Sequence, residues 1–299
     1  MPSRIKDGVR SAPYMKSLSP RVFFQAPDLS ALRRDGWAVA DLHVHTSRSD
    51  GLYRPERVAE HAMHLGIGCA VTDHNEAGGV RAAAEHRSGL LVIPGIEVSA
   101  ADGPHLLFYF PSVRGLEDFF REEIRDRRGM SPYMAISRST TDLLAAAEGY
   151  DCLRVAAHPF GYAVLDRGVL KCVENGRLDR DVLKAIDGVE AICGGMNRSL
   201  NRRAAEYAAE NGCGITGGTD AHILSQIGGT LTCCRAETAE EFIEEVRARR
   251  SRVYGQETNR FVKVIAGCAI SWRFLPYTIP SIAVHAAQTA ERIRAGRKK

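Results

Sequence analysis

Short aliphatic and β-branched runs alternate with amphipathic stretches from residue 37 onward. This alternation is typical of βα units that build a parallel sheet or a barrel. The predicted strands are WAVADLHVH, GCAVTDH, GLLVIPGIEV, HLLFYF, CLRVAAH, DGVEAI, CGITGGTD and SRVYG. The predicted helices are RPERVAEHAMHLG, AGGVRAAAEH, GLEDFFREEIRDRR, STTDLLAAAEG, LNRRAAEYAAENG and TAEEFIEEVRARR. So many consecutive units in one chain favour an α/β barrel.

Two helix boundaries have clear signals, because Thr238 precedes acidic residues and Gly212 follows the segment LNRRAAEYAAEN. We predict an N-terminal extension over residues 1–37 with a short helix in QAPDLSALRRDG, a barrel over residues 38–255, and a helical tail over residues 256–299. The sequence leaves open whether the tail packs on the barrel, mediates association or stays mobile. A membrane-surface role for the tail is less favoured, because its last ten residues lack a large apolar face.

Composition narrows the class of protein. A chain of 299 residues with 44% hydrophobic residues can bury a sizeable core. Its 40 basic and 36 acidic residues suit an enzyme with small anionic substrates better than a nucleic-acid coat, so nucleic acid is expected only as a short substrate. We find no secretory signal and no membrane span, and therefore predict a cytoplasmic protein. The eight cysteines form no CxxC pair, and we expect them to be buried thiols rather than zinc ligands.

The segment DLHVHTSRSDG places two histidines two residues apart at the end of the first barrel strand. Since side chains at i and i+2 of a strand point to the same side, His43 and His45 can bind one metal ion. Histidines and carboxylates also occur at the ends of other predicted strands. These residues are His74, Glu97, His105, His158, Asp220 and His222.

Strand ends of a βα barrel converge on one mouth, so these residues are expected to share a pocket. Buried imidazoles and carboxylates are costly without partners, and metal ions are the simplest partners. Nitrogen and oxygen donors without cysteine favour Mn²⁺, Fe²⁺ or Zn²⁺. Asp73 adjoins His74 but points the other way in an extended strand, so we expect it to support the site or cap a helix rather than bind metal.

The sequence resembles the PHP family, the polymerase and histidinol phosphatase domain, and in particular its small stand-alone phosphoesterase members. The motifs that carry the resemblance are DLHVHTSRSDG, VTDH, GIEVS with HLL downstream, AAHPF, and GGTDAH followed by IGG. They occur in this order between about residues 38 and 255. The resemblance implies a distorted (β/α)7 barrel that holds two or three divalent metal ions.

The resemblance also implies how the ligands are divided among the metals. The first set would be His43, His45, Glu97 and Asp220. The second set would share Glu97 and add His105 and His158. The third set would be Asp50, His74 and His222. All nine positions hold residues that can bind metal, which argues against a metal-free member of the family.

The implied reaction is hydrolysis of a phosphate ester, with a metal-activated hydroxide as the nucleophile. By the same resemblance, the expected substrate is a small phosphomonoester such as a nucleotide, a nucleoside bisphosphate or a short oligonucleotide. Arginine and asparagine side chains in the loops are candidates for phosphate contacts, because a guanidinium matches phosphate oxygens in a bidentate way. These candidates are Arg48, Arg138, Asn197 and Arg198.

Two other functions compete with this hypothesis. An amidohydrolase barrel also begins with HxH and ends with an Asp after a late strand, but it would leave Asp50, His74 and His222 without a role. It also commonly requires a mid-barrel lysine, which no predicted strand end supplies. The remaining alternative is a polymerase-associated or structural metal module, although the chain has no polymerase-sized region beside the barrel. The oligomeric state is left open.

Overall fold

The computed structural model describes residues 20–86, 89–131, 133–161 and 167–296. Residues 1–19 of the predicted N-terminal extension therefore lie outside the described residues. The strands are β1 (Val22–Phe23), β2 (Ala38–Val44), β3 (Gly68–Val71), β4 (Gly95–Ser99), β5 (His105–Tyr109), β6 (Leu153–Ala156), β7 (Gly188–Cys193), β8 (Gly214–Gly218), β9 (Thr230–Cys234) and β10 (Arg252–Gly255). The helices are α1 (Leu29–Arg34), α2 (Pro55–Leu65), α3 (Gly78–His86), α4 (Val113–Phe119), α5 (Thr140–Ala147), α6 (Val169–Glu174), α7 (Arg198–Asn211), α8 (Ala239–Arg247), α9 (Arg260–Phe274) and α10 (Thr278–Gly296).

The strands form two five-stranded sheets with the orders β1-β10-β9-β2-β3 and β4-β5-β6-β7-β8. Parallel pairs join β2 to β3, β6 to β7, and β7 to β8, as expected for βα units. β5 runs antiparallel to both of its neighbours. The start of β5 therefore lies at the same end of the sheet as the ends of β4 and β6, which brings His105 to the same side as Glu97.

The α/β class that the sequence predicts is confirmed. Isolated parallel bridges join the two sheets at both seams: Val44 with Ala221 between β2 and the end of β8, and Cys69 with Val92 and His74 with Glu97 beside β3 and β4. The buried phenol of Tyr109 also donates a hydrogen bond from β5 to the carbonyl of Leu42 on β2, at 2.7 Å. Neither sheet is itself closed, so the seven-stranded barrel stays a prediction.

Most predicted elements match the structure, but the two-residue strand β1 and the helix α6 were not predicted, and the structure also differs at two further places. GLLVIPGIEV contributes a strand only from Gly95, because Pro94 has no N–H to donate and interrupts the ladder. The sequence analysis also missed β9, whose residues Thr230 and Thr232 are buried and disguise the apolar pattern of the strand. The capping box of Thr238 with Glu241 and the left-handed Gly212 confirm the two boundary signals.

Aliphatic and aromatic side chains from both sheets form three buried clusters, the largest of which includes Phe108 and Phe119. Six of the eight cysteine thiols are buried among these side chains, as predicted, and Cys268 is exposed. The clusters hold the strands in a fixed arrangement, so the side chains at the strand ends have defined positions.

The tail packs across the strand ends, which answers a question that the sequence left open. α9 and α10 contact loops on several sides of this end of the molecule, and Ala266 of α9 is buried there. Throughout the described part of the chain, each helix is too short or too polar to cross a lipid bilayer.

One glycine permits the close approach of β8 to β2. A Cβ atom at Gly218 would lie 2.4 Å from the Cβ of His43 and 2.6 Å from its backbone nitrogen. These distances are shorter than van der Waals contact, so any side chain at this position would push the two strands apart. Gly218 therefore helps to determine where His43 lies.

We predict that Gly218→Ala lowers the free energy of unfolding by about 1–3 kcal/mol, because the added methyl group overpacks the contact with His43. Gly129→Ala is the matched control, since a Cβ there meets no atom within 4 Å. Urea unfolding of both variants checks the prediction. Equal stability of the two variants would contradict it.

Candidate metal centre

The first part of the site lies at the end of β2, where His43 in the strand and His45 just after it project to the same side. Both side chains are fully buried, and their ring centroids are 5.0 Å apart. Asp220 follows β8, and its Oδ1 lies 3.1 Å from His45 Nε2 and 3.5 Å from His43 Nε2. The two imidazoles and this carboxylate thus converge on one point.

The carboxylate of Glu97 lies at the centre of the site and has no solvent exposure. Five imidazole nitrogens surround it: His74 Nδ1 at 2.8 Å, His158 Nε2 at 2.9 Å, His105 Nδ1 at 3.0 Å, and the Nε2 atoms of His43 and His45 at 3.5 Å each. These rings come from β2, from β5 and from the segments after β3 and β6. Glu97 therefore connects the predicted ligands of two metal ions.

A second carboxylate, Asp50, organises the other side of the site. Its Oδ2 lies 3.3 Å from His222 Nε2 and 3.7 Å from His74 Nε2, and its Oδ1 lies 3.8 Å from His45 Nδ1. This set contains the three residues that the resemblance assigns to a third metal. His74 contacts both Asp50 and Glu97, so it lies between two of the predicted sets.

Donor atoms of these residues form compact groups, in each of which all atoms lie within 4.8 Å of one another. Among the described residues, the groups are His45, Asp50, His74 and His222; His43, His45 and Asp220; His74, Glu97 and His105; and His43, Glu190 and Cys193. The first three groups draw on eight of the nine predicted ligands. His158 joins the same cluster through its 2.9 Å contact with Glu97.

The protonation states of the site suit cation binding. Burial lowers the pKa of His45 to about 4 and that of His105 to about 3, so both rings are neutral near pH 7 and have a lone pair to donate. Burial would raise the pKa of Glu97, but His74, His105 and His43 hold it well below its ordinary value. Burial would lower the pKa of His43 and of His74, but nearby carboxylates outweigh it and raise both. The site therefore combines an ionised carboxylate with neutral imidazoles at His45 and His105.

On the other side of the site, Asp50 and His222 form a pair of opposite charges. Burial lowers the pKa of His222, but the nearby carboxylate of Asp50 outweighs it and raises the pKa to about 9. An imidazolium at His222 neutralises Asp50 in the protein alone, and a bound cation would take over that role.

Some buried polar atoms of the site meet no hydrogen-bond partner among the described residues. These atoms include His43 Nε2 and His45 Nδ1. Buried polar atoms without partners are costly, and each of these two nitrogens is a good donor to a divalent cation. The residues present therefore fit metal ions.

The backbone at two predicted ligands adopts left-handed conformations that non-glycine residues rarely occupy. His158 has a φ of +27° and Asp220 a φ of +54°. Asn75, next to His74, has a φ of +50°. Such strain persists only where the surroundings impose it, and it is concentrated at functional sites.

Three carboxylates support the site, two of which the sequence analysis did not identify. Glu190 accepts a hydrogen bond from His43 Nδ1 at 3.0 Å and another from the backbone N–H of His158 at 2.6 Å. Asp41 accepts hydrogen bonds from the backbone N–H and the hydroxyl of Thr219, beside Asp220. Glu190 and Asp41 are acidic residues within otherwise apolar strands, and this unusual position in the sequence could have identified them.

The third supporting carboxylate is Asp73. It accepts hydrogen bonds from Thr46 and from the hydroxyl of Ser49 in the loop that carries Asp50. This contact agrees with the supporting role expected from the sequence.

The site opens into a cavity of about 620 Å³. The four predicted phosphate contacts do not line it among the described residues: Arg138 pairs with Glu123, Arg198 pairs with Glu257, Asn197 caps α7, and Arg48 is exposed. Their role in substrate binding stays a prediction. Two cations that the sequence analysis missed, Arg167 and Lys263, do line the cavity.

Comparisons with known proteins agree with this geometry. A family model described as PHP domain matches residues 41–197, and one described as PHP-associated matches residues 198–251. The structure of PsfC from Pseudomonas syringae has a similar fold, with a TM-score of 0.55 and 19% sequence identity. This similarity covers 79% of the chain and 98% of PsfC.

Two curated relatives match a shorter part of the chain. The 5'-3' exoribonuclease Rnm of Salmonella typhimurium is 43% identical over 76 residues, which are 23% of this chain and 26% of that protein. The phosphoribosyl 1,2-cyclic phosphate 1,2-diphosphodiesterase of Eggerthella lenta is 45% identical over 67 residues, or 21% of this chain and 26% of that protein. The chain thus spans about a quarter of the length of these relatives in the matched segments.

We predict that Glu190→Gln weakens binding of divalent metal about 10- to 100-fold, because the amide no longer orients His43 and the backbone at His158 as the carboxylate does. Calorimetric titration of metal-free protein with Mn²⁺ measures the change. His86→Gln is the control, since His86 pairs with Glu60 on the surface. An unchanged affinity in Glu190→Gln would show that Glu190 does not support the metal ligands.

Proposed function

Because the chain belongs to the PHP family, whose domain model matches more than half of its residues, we propose that it is a metal-dependent phosphoesterase. The proposed substrate is a small phosphomonoester: a nucleotide, a nucleoside bisphosphate or a short oligonucleotide. The observation that carries this proposal is the cluster of buried imidazoles and carboxylates around Glu97 at the base of a cavity.

The proposed metal ligands are the nine residues that the motifs identify. Two or three divalent ions would be held by His43, His45, Asp50, His74, Glu97, His105, His158, Asp220 and His222. The mixture of nitrogen and oxygen donors favours manganese, iron or zinc. When bound, such ions act as Lewis acids toward phosphoryl oxygen and water.

Residues of the chain itself would bind and orient the phosphate group. Lys263 and Arg167 line the cavity beside the metal cluster and carry the positive charge that a phosphate dianion requires. The backbone carbonyls of Gly195 and Met196 accept hydrogen bonds from Lys263 Nζ at 2.8 and 3.0 Å, which holds the ammonium at the edge of the cavity. Glu190 and Asp41 keep His43 and the segment before Asp220 in place.

The contact between Asp50, His74 and His222 favours the phosphoesterase over the amidohydrolase alternative. An amidohydrolase site would give these three residues no role, whereas here they form one group with His45. Both curated relatives are named for cleavage of phosphate esters, one as an exoribonuclease and the other as a diphosphodiesterase. These names support the class of reaction and leave the substrate to experiment.

The architecture that would carry this activity is a distorted seven-stranded barrel of strands β2 to β8. The bridges at both seams between the sheets support this arrangement. We further propose that residues 38–255 form the catalytic unit, with residues 1–37 and 256–299 as extensions.

We predict that purified protein with Mn²⁺ releases inorganic phosphate from small phosphomonoesters, and that Asp220→Asn lowers kcat about 100-fold or more because one carboxylate ligand is lost. A panel of nucleoside monophosphates, nucleoside bisphosphates, sugar phosphates and short oligoribonucleotides would rank the substrates. Excess chelator should abolish release, and added Mn²⁺ should restore it.

The control for this experiment is His64→Gln, an exposed histidine on α2. It should retain the wild-type rate. Metal-loaded protein that releases no phosphate from any member of the panel would refute the proposed function, and so would Asp220→Asn with wild-type activity.

A further inference from the structure

We propose that α9 and α10 form the roof of the substrate pocket and restrict it to a phosphomonoester of nucleotide size with a flat, apolar organic group. This inference rests on the proposed function for the identity of the reacting phosphate. The helices lie in the tail, beyond residue 251, where the family models end. The roof is therefore a feature of this chain that the family match does not supply.

The position of the helices is set by polar contacts with separate loops around the cavity. Arg273 donates hydrogen bonds to the backbone carbonyls of Ser47 and Ser49 at 2.6 and 3.1 Å, in the loop that leads to Asp50. Gln288 donates to the carbonyl of Ala101 at 3.3 Å, after β4. Together with the contact of Lys263 at Gly195, after β7, these bonds attach the tail at three sides of the mouth.

Ring contacts add a further attachment. Tyr133 packs edge-on against Phe274 and Tyr277, with centroid distances of 5.8 and 5.4 Å. Beside it, the hydroxyls of Ser131 and Ser281 are 3.2 Å apart. The helices α9 and α10 thus extend across the mouth of the cavity from one side to the other.

The two ends of the cavity differ in chemistry. Its base consists of predicted metal ligands, including Asp50, His74 and Glu97. Its roof presents the apolar side chains of Ala266, Ile270, Phe274 and Ile282, with polar side chains such as Ser271 and Thr278 beside them. A phosphate group fits the charged base, whereas a sugar phosphate would leave the apolar side chains of the roof without a partner. A planar, partly apolar group such as a nucleobase would cover that roof.

The size of the cavity limits the length of the substrate. A volume of about 620 Å³ lies within the range of pockets that enclose one small molecule. A nucleic-acid strand would have to continue beyond the mouth, where the attached helices lie across its path. We therefore infer that a mononucleotide binds more tightly than a strand with the same terminal phosphate.

Ile270 and Ile265 offer a matched test on one helix. Ile270 is half-buried and lines the cavity, whereas Ile265 is 45% exposed and lies about 140° away around α9, away from the cavity lining. Ile270→Ser should weaken binding of a nucleotide about tenfold, because an apolar contact with the organic group is lost. Ile265→Ser makes the same chemical change and should alter binding less than about twofold.

The experiment measures calorimetric binding to full-length, Mn²⁺-loaded protein, using phosphonates in which a methylene group replaces the ester oxygen. The probes are an adenosine 5'-phosphonate isostere, methylphosphonate, and a decaribonucleotide with the same 5'-phosphonate. Because the terminal carbon–phosphorus bond cannot be hydrolysed, binding is read independently of phosphate release, and gel analysis after the titration verifies that the internucleotide bonds of the decamer are intact. We expect wild-type protein to prefer the mononucleotide over the decamer, and Ile270→Ser to lose mononucleotide affinity while methylphosphonate affinity stays the same.

Each contrary result has a distinct meaning. A decamer that binds as tightly as the mononucleotide would overturn the restriction on length. Equal mononucleotide affinity in Ile270→Ser and Ile265→Ser would overturn the apolar roof. Selective binding of the mononucleotide together with no phosphate release from any phosphomonoester of the panel would leave this inference standing and refute the proposed function instead.

Discussion

The buried carboxylate of Glu97 is the contact on which the rest of the site depends. Its oxygens meet imidazoles from β2, from β5 and from the segments that follow β3 and β6. An ionised carboxylate without solvent is costly unless cations or strong donors surround it. His45 and His105 are neutral near pH 7, and divalent cations held between the carboxylate and the rings would balance its charge. The arrangement of strands around Glu97 therefore fits a metal centre.

Two features of the fold bring these side chains together. Residues at the carboxyl ends of parallel strands lie at the same end of the sheet, as do His43 and His45 at the end of β2 and Asp220 just after β8. The reversed strand β5 delivers His105 from its first residue, because the chain turns back after β4. Close packing at Gly218 and hydrogen bonds to the buried carboxylates of Glu190 and Asp41 then hold these side chains in place, so residues outside the predicted ligand set also determine the geometry of the site.

Local patterns in the sequence predicted most elements and the residues of the cluster, because each motif combines a strand with a histidine or carboxylate at its end. These local patterns could not predict contacts between segments that are distant in the sequence. Glu190 meets His43 across 147 positions of sequence, and only the folded chain shows that pairing. The roof is similar, since the sequence predicts a helical tail over residues 256–299 but not the loops that Arg273 contacts. β9 was missed because its buried threonines satisfy their hydroxyls through tertiary contacts, as Thr232 does with Gly217.

We propose that Glu97 joins at least two metal sites, and the ratio of bound metal to protein is the sharpest test of this proposal. Wild-type protein and Glu97→Gln would be loaded with Mn²⁺, dialysed and measured by elemental analysis, with circular dichroism to verify that both are folded. We expect two or three ions per chain in the wild type and the loss of the two ions that share Glu97 in the variant. A folded Glu97→Gln protein that keeps the full wild-type content of metal would contradict the claim.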